Sequence, residues 1–226
     1  MVAKRELLVI DLGLIEYGEA HKLQIKLTDL RMEKKIPDVL LLLEHPHVIT
    51  LGRRSTPEDV RENCGIPVIR VERGGRATYH GPGQLVGYPI VDIIGLGVDV
   101  KAFVHGIEEA IILTLREFGL EEAGRREGYP GVWIHGRKIA SIGLGIRKWI
   151  TYHGFALNVN VDLKYFGVIN PCGLSPEIIT SMNKELGKNV NMNSVKKVMA
   201  RCFAEVFGYE KRELMKVDEL FATHDI

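Results

Sequence analysis

Apolar residues along the chain recur alternately at strand-like and helix-like spacings. Short apolar runs predict buried β-strands at Leu7–Asp11, Val39–Leu43, Val48–Leu51 and Val68–Val71. Between the first two runs, apolar residues recur every three or four positions, which predicts an amphipathic helix with one packed face. The residues of that face are Leu14, Tyr17, Ala20, Leu23, Leu27 and Leu30.

Two further helices are predicted in the rest of the chain. Val100 to Phe118 carries the longest helical stripe, and Gly119 can close this helix in the left-handed conformation. Near the end of the chain, Asn193 or Ser194 can cap a helix that stops before Gly208. We expect the apolar face of the longer helix to cover a β-sheet.

Three consecutive strands lie between these helices. They are predicted at Gly131–Ile134, Lys138–Ile146 and Trp149–Val161, joined by turns at 135–136 and around 147–148. The chain contains no internal repeat, low-complexity tract or linker-like segment. The pattern therefore predicts a mixed α/β fold, and we expect residues 1–226 to form a single catalytic domain.

Composition and charge narrow the class of protein. The chain has 226 residues with 46% apolar content, enough for a large core. Its 30 basic and 29 acidic residues nearly cancel, which gives no electrostatic argument for a nucleic-acid or membrane partner. Three cysteines fit neither a disulfide framework nor a CxxC zinc site. With no signal peptide or long apolar run, we expect a cytoplasmic protein.

Cys172 is the candidate nucleophile. It lies between Pro171 and Gly173, in a turn instead of on an apolar stripe, and the following Ser-Pro-Glu resembles a helix start. A thiol near a helix N-terminus has a lowered pKa. Cys202 falls on the apolar face of the last helix and Cys64 in a polar stretch, so both are interpreted as structural or incidental.

Lys138 is the candidate activating residue. It begins a predicted strand in the sequence GVWIHGRKIASIG, where both flanking strands are apolar and favour a desolvated ammonium. A cation within about 4–6 Å of a thiol favours the thiolate. Most lysines are solvated, however, and an exposed hairpin lysine is the alternative interpretation.

The segment RGGRATYHGPGQLVGYP, 73–89, is unusually rich in glycine and histidine. It lacks both GK[ST] and GxGxxG, which argues against a phosphate-binding loop, and a single RGG is not an RNA-binding tract. A purely structural turn stays open as an explanation. A metal site built from His45, His47, His80 and His153 has no HExxH spacing and no accompanying carboxylate, so we expect no metal.

Three blocks of the sequence resemble the octanoyltransferase family of lipoate biosynthesis. They are RGGRATYHGPGQLVGYP, then GVWIHGRKIASIGLGI, then the stretch from HGFALNVNVDLKYF to NPCGL, in the order and spacing of that family. The resemblance implies the fold of the biotin and lipoate protein ligase catalytic core, with a mixed, mostly antiparallel sheet packed with helices.

The resemblance also implies the reaction. An octanoyl or lipoyl group would pass from acyl carrier protein to one lysine of a lipoyl domain, in 2-oxoacid dehydrogenase E2 subunits or the glycine cleavage H protein. Cys172 would carry the acyl group as a thioester, Lys138 would activate the thiol, and no cofactor would be needed. The alternatives are an octanoyl amidotransferase acting between lipoyl proteins, an ATP-dependent lipoate–protein ligase, and a binding module with an inert Cys172.

The substrate-contacting positions of the family carry over onto three segments of this chain. Glycine and alanine there leave room for an alkyl chain beside the backbone, while Ile142 and Phe155 offer apolar wall. Arg76 falls where the family varies and carries less mechanistic weight. The implied substrate-binding residues are Arg73, Gly74, Gly75, Arg76, Ala77, Thr78, Tyr79, His80, Ser141, Ile142, Gly143, Gly154, Phe155 and Ala156.

Overall fold

A computed structural model describes residues 5–61, 65–169 and 178–215 of the chain. These residues form a seven-stranded sheet, a three-stranded sheet and five α-helices. In spatial order, the larger sheet consists of β10 (Glu210–Met215), β1 (Glu6–Leu14), β2 (Asp38–Glu44), β6 (Gln84–Ile90), β9 (Ile150–Asn158), β8 (Arg137–Arg147) and β7 (Val132–Ile134). The smaller sheet consists of β4 (Val68–Arg70), β3 (Val48–Leu51) and β5 (Ala77–His80).

The larger sheet is mixed and mostly antiparallel. Strand β1 pairs in parallel with both β10 and β2, and every pairing from β2 to β7 is antiparallel. The α-helices are α1 (Tyr17–Met32), α2 (Ile93–Leu96), α3 (Val100–Glu117), α4 (Met182–Leu186) and α5 (Met192–Phe207), and 3-10 helices span Pro57–Asp59 and Leu163–Val168. The predicted mixed α/β architecture is confirmed.

The core is divided by the larger sheet, because helices cover both of its faces. Leu40 and Leu42 of β2 pack in the cluster that contains residues of α3 and α5. Leu41 and Leu43, which point the other way, pack in the cluster that contains residues of α1. Burial on both faces explains why β2 reads as an uninterrupted apolar run.

The ends of two helices follow from single residues. The Asp99 side chain accepts a hydrogen bond from the Ala102 backbone N–H at 2.7 Å and so begins α3, and Gly119 follows α3 with φ +87°. Helix α5 is capped by Asn191, whose side chain accepts from Ser194 N–H, and not by Asn193 or Ser194 as predicted. Gly208 then ends α5 at φ +69°.

Four other features of the fold differ from the sequence prediction. Leu14 belongs to β1 and is exposed, so the helix begins only at Tyr17. The strand at Val68 lies at the edge of the smaller sheet and is largely exposed instead of buried. Trp149 occupies the turn before β9, with φ +67°. The segment 73–89 contains two strands, β5 and β6, where the sequence analysis predicted none.

Among the described residues, none of the helices has the length and apolar content needed to cross a bilayer.

Candidate active site

A single cavity gathers most of the residues that the sequence analysis singled out. It is bordered by β5 with its preceding glycine-rich loop, by β8 and by β9. The predicted site residues that line it are Arg73, Gly74, Gly75, Arg76, Ala77, Thr78, His80, Lys138, Ser141, Ile142, Gly143, Gly154, Phe155 and Ala156.

Two predicted residues stand apart from this set. Tyr79 does not line the cavity: it is fully buried on the other side of β5, where its hydroxyl bonds to His47 Nδ1 at 2.7 Å and its ring stacks on Tyr165. Cys172 lies outside the described residues, as does Cys64. Cys202 is buried in the core, where burial raises the pKa of its thiol, as expected for a structural cysteine.

Six cavity-lining residues were missed by the sequence analysis as candidates for substrate contact. They are Tyr17, Tyr88, His153, Phe166, Ile169 and Ile179. Tyr88, His153, Phe166 and Ile169 lie within the first or the third sequence block but were not interpreted as substrate contacts, whereas Tyr17 and Ile179 lie outside the three blocks. His153 was considered only as a metal ligand.

The glycines of the cavity permit a close approach between two segments. A Cβ on Gly143 would lie 3.1 Å from the Gly74 carbonyl oxygen and 3.2 Å from Arg73 Cδ. Gly74 N–H also donates to the Leu144 carbonyl at 2.9 Å. The glycine-rich loop therefore docks directly on β8 and closes one wall of the cavity.

Arg73 organises that loop from within. Its guanidinium donates to the Thr50 carbonyl at 2.7 Å, to the Arg76 carbonyl at 2.8 Å and to the Gly74 carbonyl at 3.0 Å. Its side chain is almost fully buried, so these bonds satisfy a charge that burial would otherwise penalise. Arg76 donates in turn to Asp59 at 3.1 Å, which ties the loop to the 3-10 helix Pro57–Asp59.

Lys138 is the second residue of β8 and its ammonium faces the indole ring of Trp133, 5.4 Å from the ring centroid. The Lys138 carbonyl accepts from Thr180 N–H at 3.0 Å, and Lys138 also forms a β-bridge with Ile179. A Cβ on Gly131 would lie 2.7 Å from Lys138 Cε, so that glycine leaves the space which the lysine stem occupies. The surroundings thus hold the side chain at the cavity.

A chain of buried hydrogen bonds links His80 to the strand of Lys138. Gln84 Nε2 donates to Asn158 Oδ1 at 3.0 Å, and Asn158 Nδ2 donates to the Thr180 carbonyl at 2.9 Å. The Gln84 oxygen is therefore an acceptor, and it faces His80 Nδ1 at 2.8 Å. By this assignment, His80 carries its proton on Nδ1 and leaves the Nε2 lone pair as an acceptor.

The histidines beside this chain are held neutral. Burial, with His45 next to it, lowers the pKa of His80 to about 3. Burial likewise lowers the pKa of His45 to about 4, although its Nδ1 donates to the Ile15 carbonyl at 2.7 Å. Its Nε2 accepts from the Tyr88 hydroxyl at 2.8 Å, and burial raises the pKa of that phenol well above its ordinary value.

His153 completes this group of rings. Burial and then the neighbouring His21, Arg73 and Arg53 lower the pKa of His153 to about 3. Its Nδ1 lies 3.3 Å from the Tyr17 hydroxyl. At neutral pH these imidazoles therefore offer hydrogen-bonding atoms without positive charge.

The metal set considered from the sequence does not assemble. His47 bonds to Tyr79 behind β5, whereas His45 and His80 use ring nitrogens on Ile15, Tyr88 and Gln84.

The fold and the cavity place the chain in a recognised class. The family described as lipoyl protein ligase A/B catalytic domain matches residues 16–204. Lipoate-protein ligase A bound with ATP superposes with a TM-score of 0.72 at 17% identity, covering 98% of this chain and 93% of that one. A putative lipoate protein ligase from T. acidophilum with bound lipoic acid gives 0.69 at 19% identity, covering 99% and 97%. The chain has the lipoate–protein ligase fold, as the sequence resemblance implied.

Sequence relatives are more specific. The octanoyltransferase of Caldicellulosiruptor saccharolyticus is 45% identical over 214 residues, covering 92% of this chain and 91% of the relative. The octanoyltransferase of Solibacter usitatus is 48% identical over 205 residues, covering 88% and 92%. The chain therefore belongs to the octanoyltransferase family, whose members are acyltransferases, and the resemblance stated from its motifs is confirmed.

Proposed function

We propose that this protein transfers an octanoyl group from acyl carrier protein to a specific lysine of lipoyl domains, through a thioester on Cys172. The acceptors are lipoyl domains of 2-oxoacid dehydrogenase E2 subunits and the glycine cleavage H protein. The proposal includes a single catalytic domain and a cytoplasmic location.

One observation supports this reaction above the others. Lys138 shares its cavity with Ile169 and Ile179, which precede and follow the segment containing Cys172 in the sequence. Three peptide units join Ile169 to Cys172, a reach of at most about 11 Å between their Cα atoms. This closeness along the chain supports the proposal that Cys172 acts together with Lys138.

The proposed chemistry has two half-reactions. The Cys172 thiolate attacks the thioester carbonyl of the octanoyl donor, a new C–S bond forms, and the phosphopantetheine sulfur leaves and takes a proton. The lysine amine of the lipoyl domain then attacks the enzyme thioester, forming the amide and releasing Cys172. Lys138 supplies and accepts the protons and favours the thiolate. Thioester exchange is nearly neutral in energy and amide formation is downhill, so no ATP is required.

The cavity wall supports an alkyl substrate. Ile142, Phe155, Phe166, Ile169 and Ile179 contribute apolar surface to it. Burying about six methylenes at about 0.8 kcal/mol each contributes roughly 5 kcal/mol before ordering costs. That energy is enough to discriminate an eight-carbon acyl chain from a four-carbon one, but it discriminates poorly against chains of seven or nine carbons. The preference for chain length is therefore graded.

Intact mass spectrometry tests the proposal. The wild-type chain mixed with octanoyl-acyl carrier protein should gain one octanoyl mass, and the adduct should disappear when a lipoyl domain is added. The Cys172→Ala variant should gain none, whereas Cys202→Ala, which changes the thiol buried in the core, should still be acylated. An adduct that survives Cys172→Ala contradicts the thioester.

The same assay separates the alternatives. Transfer that starts only when ATP and free octanoate are supplied identifies a ligase. Transfer from octanoylated H protein, with none from octanoyl-acyl carrier protein, identifies an amidotransferase.

A further inference from the structure

Three polar side chains from separate elements meet beside the cavity. His21 lies on α1, Glu72 precedes the glycine-rich loop, and His153 lies on β9. One ligand atom from each residue lies within 4.8 Å of the other two. Glu72 Oε2 is 3.4 Å from His21 Nε2 and 3.8 Å from His153 Nε2.

The two imidazole nitrogens of this group are buried without a hydrogen-bond partner among the described residues. His153 is 1% exposed, and His21, although partly exposed, buries its Nε2 atom. A buried polar atom with no partner destabilises the fold, so two that face one carboxylate require an explanation.

The remaining contacts of His153 are those expected of a histidine that coordinates a metal ion. Its backbone N–H donates to Gln24 Oε1 at 2.7 Å, which holds the residue at φ +55° in the middle of a strand. With Nε2 directed toward Glu72, the Nδ1–H can donate to the Tyr17 hydroxyl, 3.3 Å away. Histidines that bind metals use their second ring nitrogen in this way, which fixes the tautomer and the ring orientation.

We propose that His21, Glu72 and His153 bind a divalent transition metal, with Zn²⁺ as the best match. Zinc takes imidazole nitrogen and carboxylate oxygen at about 2.0–2.2 Å, which puts two tetrahedral ligands about 3.4 Å apart. The distances from Glu72 to the two nitrogens need little adjustment to meet that value. Because the Glu72 side chain is 56% exposed, the fourth position opens to solvent.

Charges near the site set its strength. Arg53 and Arg73 lie near His153. The same guanidinium groups repel a cation, which the Glu72 carboxylate offsets. We therefore expect moderate affinity.

Binding has a structural consequence that is separate from acyl transfer. Glu72 immediately precedes Arg73, the residue that organises the glycine-rich loop. A metal at this position links α1, β9 and the start of the loop, and therefore stabilises one wall of the cavity without touching Lys138.

Zinc binding to the full-length, chelator-treated protein tests the proposal. Competition with a chromophoric chelator should show one Zn²⁺ per chain, and Co²⁺ should give visible absorption bands of a low-coordinate site. His21→Gln and Glu72→Gln each remove a ligand from a partly exposed position and should weaken binding by about tenfold or more. Glu72→His, which restores a nitrogen ligand, should retain binding.

A control variant keeps the result interpretable without any change to the buried His153. His105 and Glu108 form another His–Glu pair, 3.3 Å apart, but Arg125 also binds that carboxylate. His105→Gln should therefore leave zinc binding unchanged. Absence of binding to the wild type, binding unaffected by His21→Gln, or binding abolished by Cys172→Ala would each overturn the proposal.

Discussion

At the Lys138 end, the cavity is lined by Phe166, Ile169 and Ile179, whereas the opposite end is lined by the rings of Tyr17, His80, Tyr88 and His153. On β8, Lys138 is six residues from Leu144, the partner of His153, which is about 20 Å along an extended strand. We name these regions the Lys138 end and the histidine end.

The difference separates two ways of building a cavity wall. Aliphatic side chains at the Lys138 end gain from any apolar group they cover, in proportion to its area. At the histidine end, ring nitrogens and hydroxyls bond to one another in fixed directions, as between His45 and Tyr88. The first surface tolerates variation in a ligand, while the second depends on every ring staying neutral.

Acid should therefore affect the histidine end first. Burial lowers the pKa of His45, His80 and His153 to about 3–4, below the value of about 6.5 for the unfolded chain. Above pH 6.5 the rings are neutral in both states, and their contribution to stability is fully present. As pH falls from 6.5 toward 4, only the unfolded state takes up protons, which costs up to about 1.4 kcal/mol per pH unit for each histidine.

Urea unfolding measured between pH 7.5 and 5 checks this expectation. The free energy of unfolding should decline below pH 6.5. His45→Gln removes one of the three titrating rings and should reduce the slope of that decline by up to about 1.4 kcal/mol per pH unit. His105→Gln, on the exposed face of α3, should leave the decline unchanged. An equal free energy of unfolding at pH 7.5 and pH 5 would contradict the neutral-ring account.

The Lys138 end is better tested by kinetics. Lys138→Ala removes the cation proposed to lower the thiol pKa from about 8.5 toward 7, so acylation at pH 7 should slow by about tenfold. The loss should shrink in alkali, where the thiol ionises unaided. Mass spectrometry of the octanoyl adduct against time gives the rate.

Lys101→Ala is the matched control, since Lys101 is exposed on α3 and does not line the cavity. It should acylate at the wild-type rate. A Lys138→Ala variant that folds and acylates normally at pH 7 would remove the activating role from the proposal.

The sequence identified one residue at each end, Lys138 and His80, and missed the side chains around them. The hairpin of β8 and β9 was predicted from its strand-like runs and turn residues, and Lys138 was placed at the start of the correct strand. Its proposed partner, Cys172, rests on the motif alone because it lies outside the described residues. The motif thus carries more of that site than the geometry does.

Strand β6, which carries Tyr88, shows why part of the histidine end was missed. Gly87 and Pro89 argue against a central strand, yet β6 lies between β2 and β9. A Cβ on Gly87 would lie 2.1 Å from the Phe155 ring, and a Cβ on Gly154 would lie 2.1 Å from the Gly87 carbonyl oxygen. These glycines are required by contacts between strands about 70 residues apart in the chain, which no local pattern reports.

The contacts of the histidines are equally non-local. His153 reaches Tyr17 and His21, more than 130 residues earlier in the chain. A buried face on α1 could be predicted from spacing, but its direction toward a cavity could not. The sequence therefore identified candidate residues on motifs, while the rings that surround them emerged only from the assembled fold.

The smallest expected effect concerns the position of one proton. Gln84 donates to Asn158 and so presents its oxygen to His80, which predicts the Nδ1–H tautomer of His80. The ¹⁵N chemical shifts of the His80 ring should show a protonated Nδ1 and an unprotonated Nε2 at pH 7. Gln84→Met removes the acceptor at a buried position, so the Nδ1–H tautomer should lose its preference and both forms should be populated.

Because Gln84 does not line the cavity, a changed tautomer with slower acyl transfer would mark it as a positioning residue. Wild-type protein with the proton on Nε2 would show instead that the Gln84 amide is turned the other way, and the relay from His80 to Thr180 would be broken at its first bond.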